Sequence, residues 1–313
     1  MKKDFIWDEK YRPSKIKDVI LVPELKDTFQ SIVETGEVMN MLFTGTPGLG
    51  KTTVAKAICE ELDVDWILIN SSEEGNIDTL RNKIKQFAST VSFSGGYKVV
   101  ILDEADGLNA NSFQPALRAF MTEFSNNCRF ILTCNFQSKI IEPLKSRCSV
   151  YNFNTTKKDM APLALQMLNR SKVILDAENV EYDIPTLSRI ILKYAPDWRR
   201  TIGELQRLSR GKSKIESNDL TLLSSDQYSD LVGYLKKKEY TKSRAWVVDN
   251  MDTDSSSLFS ALYNKGWTMA KPDTLPNLIL ILAEYSYKSA FVADQEVNTM
   301  ACITEIMSQV EWK

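Results

Sequence analysis

An α/β domain built on a parallel sheet and followed by two all-helical regions is what these 313 residues predict. Three observations carry that prediction. Short apolar runs alternate with helical stretches between residues 39 and 153, a glycine-rich phosphate-loop pattern follows the first run directly, and no strand-like run recurs beyond residue 154.

The strand candidates are 39–43, 64–69, 98–102 and 129–133. Each is nearly all apolar instead of alternating, the pattern of central strands covered on both faces by helices. Between them, 52–62, 78–89 and 112–124 repeat apolar residues at three- and four-residue spacing, which makes them the crossover helices. The stretch 154–224 opens on the capping residues Asn154, Thr155 and Thr156 and reads as several short helices without strands. A polar hinge at 223–227 leads to a third region rich in Leu, Ile, Tyr and Trp at helical spacing, expected to be wholly helical. The expected division is therefore 1–153, 154–224 and 225–313.

Composition prunes the chemistry. Hydrophobic residues make 43% and charged residues 26%, close to the average for soluble globular proteins. With 39 Lys and Arg against 41 Asp and Glu, any contact with nucleic acid has to be a local patch. The absence of histidine removes His-based triads, His general bases and imidazole zinc sites. Five cysteines without a C-x-x-C pair fit free thiols in a reducing compartment. The first ten residues lack the apolar core of a signal peptide, and the run 278–283 is far too short to span a bilayer, so a cytoplasmic protein with no membrane partner is expected.

The most specific signal is Gly45-Thr46-Pro47-Gly48-Leu49-Gly50-Lys51-Thr52, which fits G-x-x-x-x-G-K-[ST] between a strand and a helix. Gly48 and Gly50 allow backbone N–H groups to turn inward, Lys51 reaches the outer phosphates, and Thr52 ligates Mg²⁺. About fifty residues on, an apolar run ends in Asp103 and Glu104. Asp103 would complete the Mg²⁺ shell, and Glu104 would polarise the attacking water in a chain without histidine. Taken without the phosphate loop, the two acids read equally well as the cap of the next helix; with it, catalysis is the stronger reading. The letters of Asp103-Glu104-Ala105-Asp106 also spell a helicase signature, but residues 154–313 lack the second strand-rich domain such an enzyme needs.

Together with Trp7-Asp8-Glu9-Lys10-Tyr11-Arg12-Pro13, Leu132-Thr133-Cys134-Asn135, Glu142-Pro143-Leu144-Lys145-Ser146-Arg147-Cys148 and Asp197-Trp198-Arg199-Arg200, these elements make the chain resemble the clamp-loader ATPases over about residues 5 to 210. It is similar to the replication-factor-C small subunits and, more closely, to the branch found in T4-like bacteriophages. The resemblance implies an AAA+ ATPase domain at 1–153, an all-helical lid at 154–224 and an all-helical collar at 225–313. It also implies ATP and Mg²⁺ as cofactors and hydrolysis stimulated by DNA. Asn135 would line up the hydrolytic water, Arg147 would reach a neighbouring subunit's nucleotide in trans, and Arg199 would touch the γ-phosphate in cis. Glu9, Lys10, Tyr11, Arg12, Pro13 and Ile20 would wrap the adenine and ribose, and Leu49 and Thr53 would flank the glycine loop.

For DNA, the resemblance singles out Arg81 and Lys85, four apart on one helix, and the helix start at Ser112; read alone, such a basic face is solvated surface. Arg118 is followed by Ala119 where the family has a second arginine. The implied partners are copies of the chain, an unlike subunit, a sliding clamp and primer-template DNA, inside a bacterial host. Segments 71–75 and 107–111, outside the strand ends, are candidates for the clamp grip. A branch-migration motor and a nucleotide-regulated scaffold remain as rivals.

Overall fold

Five strands line up as one parallel sheet: β1 (Met41–Thr44), β2 (Trp66–Asn70), β3 (Lys98–Asp103), β4 (Cys128–Cys134) and β5 (Ser149–Asn152), in the order β2-β3-β4-β1-β5. The computed structural model describes residues 5–71, 77–90, 96–210, 214–215, 227–250 and 255–313. These fall into two units, Met1–Ser217 and Asn218–Lys313. Residues 72–75 of the clamp-grip candidate, Asn76, the hinge at 223–226 and the boundary at 224 lie outside the described residues.

Among the described residues of the first unit the α-helices are α1 (Trp7–Lys10), α2 (Pro23–Thr35), α3 (Lys51–Glu61), α4 (Ile77–Ser89), α5 (Phe113–Glu123), α6 (Glu142–Lys145), α7 (Met160–Ala177), α8 (Ile184–Tyr194) and α9 (Trp198–Ser209). Their packing explains the nearly all-apolar strands. Leu42, Val100, Leu102, Phe130 and Leu132 point to one face and meet Ile84 of α4 and Phe113 and Leu117 of α5. Met41, Phe43, Val99, Ile101 and Ile131 point to the other and meet Val54 and Ile58 of α3 and Phe29 of α2. Successive residues of a strand serve opposite cores, so the central positions are apolar and polar side chains such as Thr44 and Thr133 stand toward the strand ends.

Three details depart from the sequence reading. The first strand begins at Met41 and not at residue 39. A fifth strand, β5, pairs with β1 at the edge of the sheet, and its alternation of half-buried and exposed residues hid it among the motif residues around it. The stretch 154–224 is not free of strands: β6 (Glu181–Tyr182) and β7 (Lys214–Ile215) form a two-residue parallel pair. Segments that short carry no periodicity. Asp183 and Asp197 cap α8 and α9, accepting from Thr186 N at 3.0 Å and Arg200 N at 2.9 Å.

The second unit packs α10 (Gln227–Lys237), α11 (Tyr240–Asp249), α12 (Ser255–Met269), α13 (Leu275–Ser289) and α14 (Gln295–Gln309) around Leu231, Leu235, Leu262, Leu278, Ile303 and Ile306. The run 278–283 lies in α13, with Leu278, Ile281 and Leu282 buried. Among its described residues, the regular structure of the unit is helical except for an antiparallel bridge between Ala270 and Trp312. Among the described residues no helix is long and apolar enough to cross a membrane.

Register sets the stage for the site. Thr44 stands opposite Cys134 and Leu102 opposite Leu132, so the carboxyl ends of β1, β3 and β4 finish at one rim. There β1 lies between β4 and β5, a topological switch point of the kind that opens a crevice for ligands.

Candidate active site

Between β1 and α3 the chain needs three backbone conformations that favour glycine, at Gly45 (φ +146°), Gly48 (φ +82°) and Gly50 (φ +87°). The loop therefore curls over the first turn of α3, whose unpaired N–H groups and dipole favour an anion. Lys51, only 8% exposed, points back into the curl. Its ammonium donates to Gly45 O at 2.6 Å, Thr46 O at 2.9 Å and Asn135 Oδ1 at 2.9 Å. Burial, the largest influence, holds its pKa below the ordinary amine value, against the pull of Asp103 and Asp106.

At the end of β3, Asp103 Oδ1 accepts hydroxyl hydrogens from Thr52 at 2.7 Å and Thr133 at 2.5 Å. Glu104 follows in the left-handed region (φ +55°), its N–H donating to Thr133 Oγ1 at 3.2 Å. Two residues on, Asp106 Oδ2 accepts from Asn135 N at 3.2 Å and Phe136 N at 3.1 Å. Thr52 and Asp103 thus offer two adjacent oxygen ligands, the donor type a Mg²⁺ ion takes. No cluster of three or more His, Cys, Asp or Glu residues forms among the described residues.

Tyr11, Arg12, Pro13 and Ile20 line the cleft beside Gly48, Leu49, Gly50, Thr52, Thr53 and Arg199. Glu9 and Lys10 do not. The Glu9 carboxylate pairs with the Arg12 guanidinium, which also reaches Thr53 Oγ1 at 3.2 Å, and the Lys10 ammonium bonds to Glu178. Helices α7 and α9 hold this N-terminal segment by its backbone. Arg170 donates to Tyr11 O, Gln166 Nε2 donates to Leu21 O at 3.0 Å, and Gln206 accepts from Trp7 N at 3.1 Å while donating to Phe5 O at 2.7 Å.

The loop also touches α9 directly. Trp198 N donates to Gly48 O at 3.2 Å, and a Cβ on Gly48 would stand 2.1 Å from Asp197 Oδ1. This contact brings Arg199 to the cleft, its Nε 3.8 Å from Asp8 Oδ2. Arg200 turns aside, its guanidinium carbon 5.0 Å from the Tyr194 ring centre. Arg147, past the end of α6, donates to Pro143 O at 3.3 Å and does not line its own chain's cleft.

The DNA candidates fare unevenly. Lys85 is exposed, but Arg81 is half-buried beside Ile84 and Ala88, so the two share a solvent face only in part. Ser112 faces inward: its hydroxyl oxygen is buried without a partner, and its N–H is taken by Asn109 Oδ1 at 3.1 Å. Thr133, Asp106, Arg170 and Asp8 are the site residues the sequence reading missed. A place at a strand end or within a motif could have pointed to Thr133, Asp106 and Asp8, whereas Arg170, midway along α7, carries no local signal.

Residues 41–155 match the family described as AAA, the ATPase family associated with various cellular activities. The sequence is 33% identical over 317 residues to the sliding-clamp-loader large subunit of Escherichia phage RB69, covering 99% of this chain and 98% of that one. The same subunit of Enterobacteria phage T4 is 33% identical over 316 residues, with the same coverage of 99% and 98%. The replication factor C small subunit of Halobacterium salinarum is 31% identical over 320 residues, covering 98% of this chain and 97% of its own. Among solved structures, the Thermotoga maritima RuvB Holliday junction branch migration motor superposes with a TM-score of 0.57 at 17% identity, covering 84% of this chain and 93% of that one. At that identity the likeness is one of fold.

Proposed function

Since the chain belongs to the clamp-loader ATPases of the AAA family, we propose that ATP binding in its cleft drives a sliding clamp open and onto primer-template DNA, and that hydrolysis lets the clamp go. Copies of the chain join at least one unlike subunit through the collar, residues 225–313, and 154–224 act as the lid over the ATPase domain, 1–153. The assembly works in the cytoplasm of a bacterial host.

The observation that carries this reading is the convergence at one sheet rim. Lys51, Thr52, Asp103 and Asn135 meet there through mutual hydrogen bonds, with the phosphate loop pressed against the start of α9. Entering phosphates replace the carbonyl oxygens around Lys51. A Mg²⁺ ion held by Thr52 and Asp103 supplies charge neutralisation when bound. Glu104 polarises the attacking water and Asn135 orients it. Arg199 carries the lid onto the γ-phosphate. Arg147, outside its own cleft, completes the site of the next subunit, a contribution worth about 10³- to 10⁵-fold in comparable phosphoryl transfers. Arg81 and Lys85 face the DNA backbone, and contacts with phosphate alone suit a machine that loads at any primer.

The test is a mixing experiment on the assembled loader, with clamp and a primer-template junction present. Lys51→Ala and Arg147→Ala assemblies should each be nearly inactive. Mixed assemblies should recover turnover, because a Lys51→Ala subunit still lends its Arg147 to a neighbour with an intact nucleotide site. Full turnover in Arg147→Ala alone would remove the trans arginine. Stimulation by the junction no greater than by single strands would count against clamp loading.

A further inference from the structure

Asp106 is the one acid of Asp103–Asp106 that nucleotide chemistry leaves without a task, since it does not line the cleft. We propose that Asp106 is a positioning residue for hydrolysis, holding the backbone of Asn135 so that its amide and the Glu104 carboxylate act as one unit. The inference rests on the roles given above to Glu104 and Asn135.

The sheet explains why Asn135 needs holding. The β3–β4 ladder ends at Leu102 and Leu132, and the β1–β4 ladder ends at Thr44 and Cys134. Asn135 and Phe136 therefore leave the sheet with no strand beside them, ahead of a 3-10 turn at Gln137–Lys139. Their N–H groups go to one oxygen of Asp106, at 3.2 and 3.1 Å. A carboxylate acceptor makes such bonds about twice as strong as neutral ones. Asp106 is itself fixed in a 3-10 turn, where Gly107 N donates to Glu104 O at 2.9 Å and Leu108 N to Ala105 O at 3.1 Å.

The tie runs in both directions. While Asp106, just past β3, takes the N–H groups just past β4, Thr133 of β4 takes the N–H of Glu104, just past β3, at 3.2 Å. The two strand exits are joined in a closed loop of hydrogen bonds. The backbones that carry the water-activating carboxylate and the water-orienting amide are thereby tied to each other. Misplacement of a catalytic group by about 1 Å can cost on the order of 10²-fold in rate.

The experiment compares Asp106→Ala, Asp106→Asn, Asn135→Ala and the double variant Asp106→Ala/Asn135→Ala in the assembled loader, by steady-state turnover and by titration with a fluorescent ATP analogue. Asp106→Ala should lower kcat by about 10- to 100-fold and leave nucleotide affinity within about twofold, because Lys51 and the phosphate loop are untouched. Asp106→Asn should recover most of the rate, since its amide oxygen still accepts both N–H groups. The double variant should be no slower than Asn135→Ala. Should Asp106→Ala fail to fold, Asp106→Glu, which keeps the charge but moves the oxygens by one methylene, must show the same loss of kcat. Turnover lost in Asn135→Ala but kept in Asp106→Ala, or losses that multiply in the double variant, would overturn the proposal alone. Full turnover in Asn135→Ala would overturn the role of Asn135, and the proposal with it.

Discussion

The Lys51 ammonium donates to the Asn135 amide oxygen at 2.9 Å, which joins the phosphate loop to the residue just past β4. Gly45 O, Thr46 O and this amide take all three ammonium donors, so a phosphate has to displace at least one of them. The two truncations should consequently move ATP affinity differently. Lys51→Ala removes a charged hydrogen-bond donor, worth about 1.5 to 3 kcal/mol, and should weaken ATP binding by roughly 10- to 100-fold. Asn135→Ala removes a competitor for the ammonium and should leave affinity unchanged or raise it a few-fold, while turnover falls. Equilibrium titration of each variant decides; a large loss of affinity in Asn135→Ala would show that the amide binds nucleotide instead of competing with it.

Two glycines separate backbone strain from contact. Gly36 ends α2 at φ +69° with no heavy atom within 4 Å of a built Cβ, so Gly36→Ala should cost only the left-handed penalty, about 1 to 2 kcal/mol. Gly48 has the same kind of conformation at φ +82°, but a methyl there would run into Asp197 Oδ1. Gly48→Ala should be the more destabilising of the two and should also weaken ATP binding, because it pushes α9 and Arg199 off the loop. Thermal melts with nucleotide titration test the pair, and equal costs with unchanged affinity would mean the loop moves aside freely.

Stability toward acid should depend on Glu178. The Lys10 ammonium first, and then the Tyr11 hydroxyl at 2.6 Å, hold the Glu178 carboxyl below the usual glutamate value. A folded pKa below the unfolded one gives a contribution that is complete above the ordinary glutamate range and disappears as pH falls through the lowered value. Glu178→Gln lacks that proton uptake, so its melting temperature should fall less between pH 6 and pH 3 than that of the wild type. Parallel acid limbs in the two proteins would show that the contact contributes nothing to folding.

What the sequence could reveal follows from distance along the chain. The phosphate loop, Asp103 and Glu104 were legible because each motif is contiguous and its strand and helix lie directly beside it. The core strands were legible because burial on both faces makes their central positions nearly all apolar. Thr133 and Asp106 were not: one meets Asp103 across 30 residues and the other meets Asn135 across 29, and no local pattern encodes a meeting of two strand ends. The grip of Gln206 on Trp7 spans 199 residues and is invisible for the same reason. Arg81 adds a degree of burial that spacing alone does not encode. Four-residue spacing put it on the same face as Lys85, but on this helix Ile84 and Ala88 point into the core and draw Arg81 halfway under.

Thr133 offers the sharpest check on how the hydrolytic site is built. Its hydroxyl donates to Asp103 and accepts from Glu104 N, so one oxygen serves both acids at the end of β3. The residue is 2% exposed, and water has little room to replace a missing hydroxyl. Thr133→Val keeps the shape and deletes both bonds, leaving a backbone N–H without its acceptor at a cost of about 1 to 3 kcal/mol. It should also release Glu104 from its left-handed backbone (φ +55°), which a non-glycine residue holds only when its surroundings enforce it. Turnover should fall while ATP affinity stays near wild type, and Thr133→Ser, which keeps the hydroxyl, should retain most of both rate and stability. If Thr133→Val loses stability but turns over normally, the hydroxyl is a structural tie alone, and Glu104 keeps its backbone through the turn at Ala105–Gly107 without help from β4.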